Sequence, residues 1–456
     1  MSQSARKKSR DISSHEASRH ADERSAMTAG ETEDGASGAH IKKIATASLR
    51  PGMFICDFNA GWMSHPFLLN RLQVRSEAEV AEIARYGIQS VFIDTRRGID
   101  VIDAPTLDQV VVSSRNEMLD NAQIQPKPEP ERGREDAEEG AGVSRPPTAE
   151  DIRRARQVLN QAAVRLQQVL TDARLGKNID IPGLQESVQN ISAAVIRNSS
   201  AMALVCRLRK RDEYTFNHSL NVGVLLARFS HHLGLDLATT HEIALGGLLH
   251  DIGKMAVAAE VLKKPGKLTE EEYNHMKTHV ERGLHLVAPY SLGPAALSVI
   301  GEHHERYDGN GYPGHTREEG ISQAGRMAAI VDVYDAISSD RVYHKGLPAP
   351  EAMRRIFEWQ CHFDPRLVSQ FVRCLGIYPI GSLVRLKSGR LAIVVQHHPE
   401  KLIRPRVRVI FDAVQRIHLP PEEIDLAASH WEEREALVGH EKPARWGIDI
   451  AHHVGC

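Results

Sequence analysis

The chain has 456 residues, of which 41% are hydrophobic and 25% are charged, and its formal net charge is -2. A chain of this length accommodates about two or three domains. The near-neutral charge gives no general attraction to nucleic acid or to anionic lipid, so neither is predicted as a partner. No apolar run of about eighteen residues is present, which predicts no transmembrane helix. The basic N-terminus also lacks the apolar segment of a secretory signal.

The cysteines are scattered along the chain, odd in number and without CxxC spacing. This pattern predicts free thiols in a reducing compartment, and the cytoplasm is the predicted location. The residues concerned are Cys56, Cys206, Cys361, Cys374 and Cys456.

The N-terminal part of the chain is predicted to hold one small domain between two disordered segments. Residues 1–39 form a tail rich in Ser, Arg, Glu and Gly, and residues 121–147 form a linker rich in Pro and Glu. Residues 40–104 are predicted to be a small α+β domain. Within it, Ser76 begins a short helix through a capping box, and Ser90–Asp94 is a buried strand.

Residues 148–211 are predicted to be a helical lead-in to the next domain. Thr148 caps its first helix, along which a narrow apolar stripe recurs at i+3 and i+4 spacing. The stripe fits two interpretations, namely packing against the next domain or the seam of a homodimer. Its members are Ile152, Ala155, Leu159, Ala162, Leu166, Val169 and Ala173.

Residues 212–375 are predicted to be almost entirely helical, and they contain nearly all of the chemically informative side chains. Residues 376–427 are predicted to be a small β extension with Ser388–Gly389 at a hairpin turn, followed by a tail at 428–456. The predicted fold class is therefore mostly α: a helical bundle with a small N-terminal α+β domain and a short C-terminal β extension.

Histidines and aspartates cluster at several places in the helical region. At the most informative place, His250–Asp251 closes an apolar run, where a buried carboxylate needs a positive partner. No cysteine joins the set and the ligands number more than four, which disfavours a tetrahedral zinc site and favours two adjacent ions such as Fe or Mn. For any single histidine a structural role is the better interpretation; their joint occurrence predicts the metal centre. The predicted ligands are His218, His250, Asp251, His279, His303, His304 and Asp332.

Other groups in this region suit an anionic substrate. Lys254 lies one helical turn after His250, and Arg341 follows Asp332 on the same helical run. Both are predicted to bind phosphate, although an ordinary surface cation is the alternative for each. The glycine-rich segment 305–314 starts directly after two of the predicted ligands, so it is predicted to form a tight loop at the rim of the site.

Together these residues resemble the HD-GYP family of the HD phosphohydrolase superfamily, whose members hydrolyse the bacterial second messenger cyclic di-GMP. The resemblance covers residues 212–375, and residues 41–101 are similar to the small domain of unknown function often found ahead of HD-GYP domains. The matching segments are His250–Lys254 for the HD motif, His303–Pro313 for the GYP motif, Asp332–Ala336 and Phe363–Pro365.

The resemblance implies an HD-domain bundle that carries a binuclear metal site. The predicted ligands would hold two divalent ions, with Asp251 as the bridging and catalytic carboxylate. Lys254 and Arg341 would hold the scissile phosphate while a metal-bridging hydroxide attacks phosphorus. The ring would open to linear pGpG, and continuation to GMP stays open. Tyr214 stands where some members carry a Glu for a third metal, so two ions are expected.

The GYP loop is expected to serve both substrate and partner. The resemblance implies contacts from Arg306, Asp308 and Tyr312 to cyclic di-GMP. It also makes this loop the expected docking surface for a diguanylate cyclase or another signalling protein.

Other functions use the same residues. A receptor or scaffold could bind cyclic di-GMP with low turnover, although a pure binder would not need the complete ligand set. An HD hydrolase of another cyclic nucleotide would carry the same metal and phosphate ligands, because only the resemblance specifies guanine. A di-iron oxygenase on this fold is disfavoured by Lys254, Arg341 and the GYP loop.

Overall fold

The computed structural model describes residues 38–59, 72–124, 145–208, 214–262, 264, 268–339, 346–359, 361–398, 400–431 and 434–454. Most of the predicted tail and linker lies outside these ranges, as does Arg341, but residues 121–124 of the predicted linker are the end of a helix. Helices predominate in the described part of the chain, with a sheet towards each end, so the predicted fold class is confirmed. The described cysteines are free thiols, as predicted: Cys56, Cys206, Cys361 and Cys374.

The N-terminal unit is built on a small antiparallel sheet. Its elements are β1 (Ile41–Ala45), β2 (Phe54–Asp57), β3 (Leu72–Gln73), α1 (Glu77–Arg85), β4 (Ser90–Asp94) and α2 (Leu107–Ile124). The strands pair in the order β1-β4-β2-β3. The hydroxyl of Ser76 accepts a hydrogen bond from the Glu79 N–H, which confirms the predicted start of α1. Ile83 of α1 packs against Ile55 and Ile93 of the sheet in a core of its own. The helix α2 was not predicted.

Two long helices follow, α3 (Ala149–Arg174) and α4 (Ile181–Leu208). Thr148 and Asp151 form the predicted capping box at the start of α3. Every residue of the apolar stripe on α3 is buried within the chain, where α3 packs against α4. The stripe therefore serves internal packing, and a homodimer through these helices stays a prediction.

The helix α4 is interrupted at Asn198, whose φ is -158°. The side-chain oxygen of Asn198 accepts a hydrogen bond from the Ala201 N–H at 3.0 Å, so this side chain competes with the helical backbone and starts a new segment. Among the described helices, α4 is long and apolar enough to cross a membrane by length and composition. That is weak evidence, and 50% of its most apolar window is buried inside the protein.

A bundle of shorter helices follows α4 and contains the predicted metal ligands. Side-chain caps from Asp236, Ser322 and Asp364 begin three of these helices. The bundle comprises α5 (Tyr214–His232), α6 (Leu237–Leu249), α7 (Ala259–Leu262), α8 (Glu270–Lys277), α9 (His279–Val287), α10 (Pro294–Glu302), α11 (Gln323–Ser338), α12 (Ala349–Glu358) and α13 (Pro365–Leu375).

A second antiparallel sheet follows the bundle. Its strands are β5 (Leu383–Leu386), β6 (Arg390–Gln396), β7 (Arg406–Asp412), β8 (Ile417–Asp425) and β9 (Leu437–His440), paired in the order β8-β7-β6-β5-β9. The predicted hairpin is confirmed, with Gly389 at φ +86° in its turn. The strand β9 lies in the segment predicted as a tail, and α14 (Pro443–Trp446) and α15 (Ile450–His453) follow it.

The helical pair, the bundle and the C-terminal sheet share one continuous core, whereas the N-terminal unit keeps a separate core. Polar contacts join the N-terminal unit to the end of α12. Arg355 donates two hydrogen bonds to the Asp57 carboxylate, at 2.9 and 2.6 Å. The indole N–H of Trp359 donates to Asn59 Oδ1 at 3.1 Å. This junction has the polar character of an interface between domains.

Candidate metal centre

Seven imidazole and carboxylate side chains from separate helices meet inside the bundle. They are the full set of metal ligands predicted from the sequence, and none is more than 7% exposed. They are His218 on α5, His250 and Asp251 at the end of α6, His279 at the start of α9, His303 and His304 after α10, and Asp332 on α11.

The donor atoms form two groups, of which the first contains three histidines and one aspartate. His279 Nε2 lies 3.4 Å from His303 Nε2 and 3.5 Å from Asp251 Oδ1. His304 completes the group, whose donor atoms all lie within 4.8 Å of one another. Ligands at about 2.0–2.2 Å from one shared ion have separations of this size.

The second group contains His218, His250 and Asp332. Asp332 Oδ1 lies 3.0 Å from His218 Nε2 and 3.8 Å from His250 Nε2. Asp251 lies between the two groups, because its Oδ2 is 3.3 Å from His250 Nε2 while its Oδ1 faces His279. A carboxylate with one oxygen towards each group has the geometry of a bridging ligand.

Backbone carbonyls fix the tautomers of three of the histidines. Nδ1 of His250, His279 and His303 lies 2.9, 2.8 and 3.0 Å from the carbonyl oxygen three residues earlier. A carbonyl oxygen only accepts, so Nδ1 carries the proton in each ring. The lone pair of Nε2 is thereby directed into the centre, as metal-ligating histidines require.

Asp335 fixes the orientation of the fourth imidazole, and sequence reasoning assigned it no role. Its Oδ2 lies 2.7 Å from His218 Nδ1, and its Oδ1 accepts a hydrogen bond from Asn221 at 3.1 Å. Asp335 is one helical turn after Asp332 on α11, and both contact the same ring. The sequence signal that could have identified Asp335 was this spacing of two aspartates within Asp332–Ala336, a segment that carries the family resemblance.

Burial keeps most of these imidazoles neutral. It lowers the pKa of His279 to about 4, with help from the charge of Lys254. Burial likewise lowers the pKa of His303 to about 3 and that of His304 well below its usual range. For His218, burial opposes protonation, but hydrogen bonds with Asp332 and Asp335 outweigh it and raise the pKa to about 9. The carboxylates around His218 therefore demand a positive partner.

The two carboxylates among the predicted ligands stay ionised despite their burial. Burial favours the neutral acid, but electrostatic interactions with His250 and Lys254 hold the pKa of Asp251 well below its usual range. The hydrogen bond from His218 does the same for the pKa of Asp332.

Several metal-donor atoms in the centre have no hydrogen-bond partner within the described part of the chain. These buried atoms are His250 Nε2, Asp251 Oδ1 and both ring nitrogens of His304. Buried polar atoms are normally satisfied, and leaving one unpaired costs about 1–3 kcal/mol. Divalent ions would satisfy these atoms and neutralise the carboxylates, so the residues fit metal binding.

The prediction that Lys254 shares a helical face with His250 is wrong. The helix α6 ends at Leu249, and Ile252–Ala256 forms a tighter 3₁₀ turn. Lys254 Nζ therefore lies 2.6 Å from Asp251 Oδ2, as a direct partner of the carboxylate between the two groups.

His279 lies at the start of a new helix. Thr269 forms a capping box at the start of α8, but α8 ends at Lys277, and His279 begins α9. Gly253 permits the close approach of the two segments, because a Cβ there would lie 1.9 Å from the carbonyl oxygen of His279. The position of His279 thus depends on a tertiary contact.

The GYP loop forms one wall of the centre. The buried Glu305 carboxylate accepts hydrogen bonds from the N–H groups of Gly314 and Thr316, at 2.6 and 3.1 Å. The ring of Tyr312 stacks on His304 with 4.7 Å between centroids. The Tyr312 hydroxyl is buried, and no described residue forms a hydrogen bond with it. The loop thus brings a phenol into contact with a predicted metal ligand.

The remaining predicted substrate contacts have different positions. Burial is the main cause of the lowered pKa of His304, and the positive charge of Arg306 contributes to it. Asp308 instead faces His362, with 3.4 Å between Oδ2 and Nδ1, and it also accepts a hydrogen bond from the Asn310 N–H. The structure therefore brings Arg306 and Tyr312, but not Asp308, to the centre. Arg341 lies outside the described residues.

Family models match three successive parts of the chain. A domain of unknown function, DUF3391, matches residues 41–182, and the HD domain matches residues 197–367. A KOW domain associated with HD domain matches residues 383–430.

Curated proteins and solved structures provide further similarities. Cyclic di-GMP phosphodiesterase PA4108 of Pseudomonas aeruginosa is 36% identical over 410 residues, which cover 90% of this chain and 94% of that protein. The 3'3'-cGAMP-specific phosphodiesterase 2 of Vibrio cholerae is 32% identical over 187 residues, 40% of this chain and 36% of that protein. The solved structure of Bd1817, an HDG"Y"P protein from Bdellovibrio bacteriovorus, is 14% identical with a TM-score of 0.41, covering 73% of this chain and 98% of that chain.

A helical bundle that gathers histidines and aspartates around an adjacent His-Asp pair defines an HD-domain protein. The similarity to the Pseudomonas aeruginosa protein over nearly the whole length of both chains narrows the class. The chain belongs to the HD-GYP family of HD phosphohydrolases and carries a DUF3391 domain at its N-terminal end. The resemblance predicted from the motifs is confirmed.

Proposed function

We propose that this chain is a cyclic di-GMP phosphodiesterase that opens the cyclic dinucleotide with the help of two divalent ions, Fe or Mn. The observation that carries the proposal is the position of Asp251. Its Oδ1 lies 3.5 Å from His279 Nε2 in one ligand group, and its Oδ2 lies 3.3 Å from His250 Nε2 in the other. A single metal would not need two ligand groups joined by one carboxylate.

Each ligand group would hold one ion. Two adjacent divalent ions, when bound, supply a hydroxide nucleophile at neutral pH and neutralise charge on the phosphoryl group. Imidazole and carboxylate donors without a thiolate suit Fe or Mn. The first ion would take His279, His303, His304 and Asp251 Oδ1, and the second would take His218, His250, Asp332 and Asp251 Oδ2.

The protein's own cations would bind the substrate phosphate. Lys254 is 13% exposed and lies 2.6 Å from Asp251, so it holds a fixed positive charge beside the bridging carboxylate. We propose that Lys254 contacts a non-bridging phosphate oxygen, and that Arg341 contacts a second one through its bidentate fork. Both contacts stabilise the pentacoordinate transition state, in which negative charge accumulates on the non-bridging phosphate oxygens.

The GYP loop would orient the nucleotide. The Tyr312 hydroxyl, which has no hydrogen-bond partner among the described residues, would donate to the substrate. The Arg306 guanidinium lies over Phe363, 5.5 Å from the ring centroid, and would hold the second phosphate or stack on a base. Asp308 is left out of this role because His362 and Asn310 already engage its carboxylate.

Hydrolysis of 3'3'-cGAMP is a second candidate function. A relative named as a 3'3'-cGAMP-specific phosphodiesterase is 32% identical to the chain over 187 residues. The proposed contacts address metal ions and phosphates, which both cyclic dinucleotides share. Only a contact to the second purine base would distinguish them. A low-turnover receptor is the outcome expected if binding occurs without cleavage.

The test is anaerobic purification, metal counting and chromatography of the products. The unmutated protein is expected to hold about two Fe or Mn per chain and to convert cyclic di-GMP to pGpG. The same chromatogram shows whether GMP follows. A parallel reaction with 3'3'-cGAMP measures which substrate has the higher kcat/KM.

A matched pair of variants on α9 controls for loss of histidine. His279→Ala removes a proposed ligand, whereas His285→Ala removes an exposed histidine of the same helix. Only His279→Ala is expected to abolish cleavage and metal retention. Tight binding of cyclic di-GMP with two metals and no cleavage would refute the hydrolase and favour the receptor. A metal-free, inactive chain would refute the ligand assignment itself.

The partner and location predictions are not addressed by these contacts. Docking of a diguanylate cyclase or another signalling protein on the GYP loop stays a prediction. The homodimer through residues 148–211 and the cytoplasmic location also stay predictions.

A further inference from the structure

A second cluster of metal-ligating side chains lies outside the centre described above. Asp308, Cys361 and His362, here called the rim triad, each bring one donor atom within 4.8 Å of the other two. Asp308 belongs to the GYP loop, whereas Cys361 and His362 lie in the turn between α12 and α13. The triad therefore joins two segments that are distant in the sequence.

Backbone contacts hold the rim triad together. The Asn310 N–H donates to Asp308 Oδ1 at 2.9 Å, which leaves Oδ2 directed at His362. The Tyr307 N–H donates to the carbonyl oxygen of His362 at 2.9 Å. These hydrogen bonds fix the GYP loop and the turn between α12 and α13 close to the donor atoms. The donor atoms of the triad are therefore held close together before any ligand binds.

The distance between Asp308 Oδ2 and His362 Nδ1, 3.4 Å, is longer than a good hydrogen bond. In a tetrahedral zinc site, with N and O ligands at about 2.0–2.1 Å, two such atoms are about 3.3 Å apart. The observed separation is therefore that of two ligands on one ion. Cys361 is exposed, so its thiol can rotate into the third position and an ion can enter from solvent.

We propose that the rim triad binds a third metal ion of the zinc class, with water as the fourth ligand. One sulfur, one nitrogen and one oxygen donor suit Zn²⁺ and disfavour Mg²⁺ or Ca²⁺, which prefer oxygen ligands. The two ligand groups of the main centre contain no thiol, so the two kinds of site differ in the metal that they select.

An ion at the rim triad would hold Asp308 of the GYP loop against the turn that contains Cys361 and His362. The loop begins at the proposed ligands His303 and His304, and Asp308 follows them closely. The Cys361 thiol also lies 3.7 Å from Gln89 Oε1 of the N-terminal unit. The ion would therefore tie the loop to a turn that touches the N-terminal unit.

Co²⁺ titration of the metal-free, full-length protein tests the proposal. Cobalt bound to a thiolate gives a sulfur-to-metal charge-transfer band in the near ultraviolet, which the thiol-free main centre cannot produce. We expect this band in the unmutated protein and its displacement by Zn²⁺. Cys361→Ser and His362→Ala are expected to lose the band and one bound zinc ion per chain.

Cys374→Ser is the matched control, because its thiol contacts the Arg228 carbonyl oxygen away from the triad. It is expected to keep the band. Absence of the band in the unmutated protein, or its persistence in Cys361→Ser, would overturn the proposal. Retention of about two Fe or Mn in Cys361→Ser separates this site from the proposed binuclear centre.

Discussion

Replacing Asp335 with Asn should weaken one of the two proposed metal sites selectively. Asp335 contacts His218 Nδ1 at 2.7 Å and accepts from the Asn221 amide at 3.1 Å. An Asn at this position presents one oxygen and one NH₂ group. If the oxygen faces His218, the NH₂ meets the NH₂ of Asn221. If the NH₂ faces His218, it forces the proton onto Nε2, where the metal should bind.

The expected magnitude follows from the role of this carboxylate. Loss of a group that orients a ligand typically costs about 10–100-fold in metal affinity, or about 1.4–2.8 kcal/mol. Asp335 is only 5% exposed, so water cannot replace the lost contact. The loss should fall on the ion held by His218, His250 and Asp332. The other ion, held mainly by His279 and two further histidines, should be bound nearly as before.

The assay is competition with a chelator of known affinity, followed by counting of the metal that each protein retains. The Asp335→Asn protein should release one ion at a chelator concentration about 10–100-fold lower than the release of the second ion requires. Adding Asn221→Asp to Asp335→Asn supplies an acceptor for the new NH₂ and should recover part of the affinity. Equal retention of both ions by Asp335→Asn and the unmutated protein would refute the reasoning.

Two further predictions concern stability, one beside the site and one at the junction with the N-terminal unit. Gly253→Ala should lower the free energy of unfolding of the metal-free protein by about 3 kcal/mol or more, because its Cβ would lie 1.9 Å from the His279 carbonyl oxygen. Gly439→Ala is the control, because its Cβ would meet no atom of the described residues within 4 Å; it should change the free energy of unfolding by less than about 0.5 kcal/mol in urea denaturation. Asp57→Ala should cost about 3 kcal/mol, because it leaves the Arg355 guanidinium, 9% exposed, without its main partner. Adding Arg355→Met to Asp57→Ala removes the unpaired charge and should recover part of the lost free energy of unfolding. No recovery would mean that the loss does not come from the unpaired guanidinium.

Local sequence patterns determined much of the fold. Capping residues such as Thr148 and Thr269 begin helices because their hydroxyls satisfy N–H groups only three residues away. The Ser388–Gly389 turn joins two strands for a similarly local reason. These interactions are set within a few residues, so they can be predicted without knowing the rest of the chain.

Local rules failed where a distant segment decided the conformation. Asn198 interrupts the helix α4, and its side chain also reaches Asp151 on α3. The Lys254 side chain lies beside Asp251, because Gly253 packs the turn against α9. No periodicity within the turn contains this information.

The predicted metal ligands likewise depend partly on local sequence and partly on tertiary contacts. The residue types and motifs identified all seven predicted ligands, since histidine and aspartate in apolar helices need a partner. The resemblance also implied a bridging role for Asp251, but the division of the donors into two groups, the position of Asp251 between them and the support from Asp335 came only from the tertiary structure. The same is true of the rim triad, because Cys361 and Asp308 are far apart in the chain. A sequence specifies donor types locally, but the distances between donors depend on how separate helices pack.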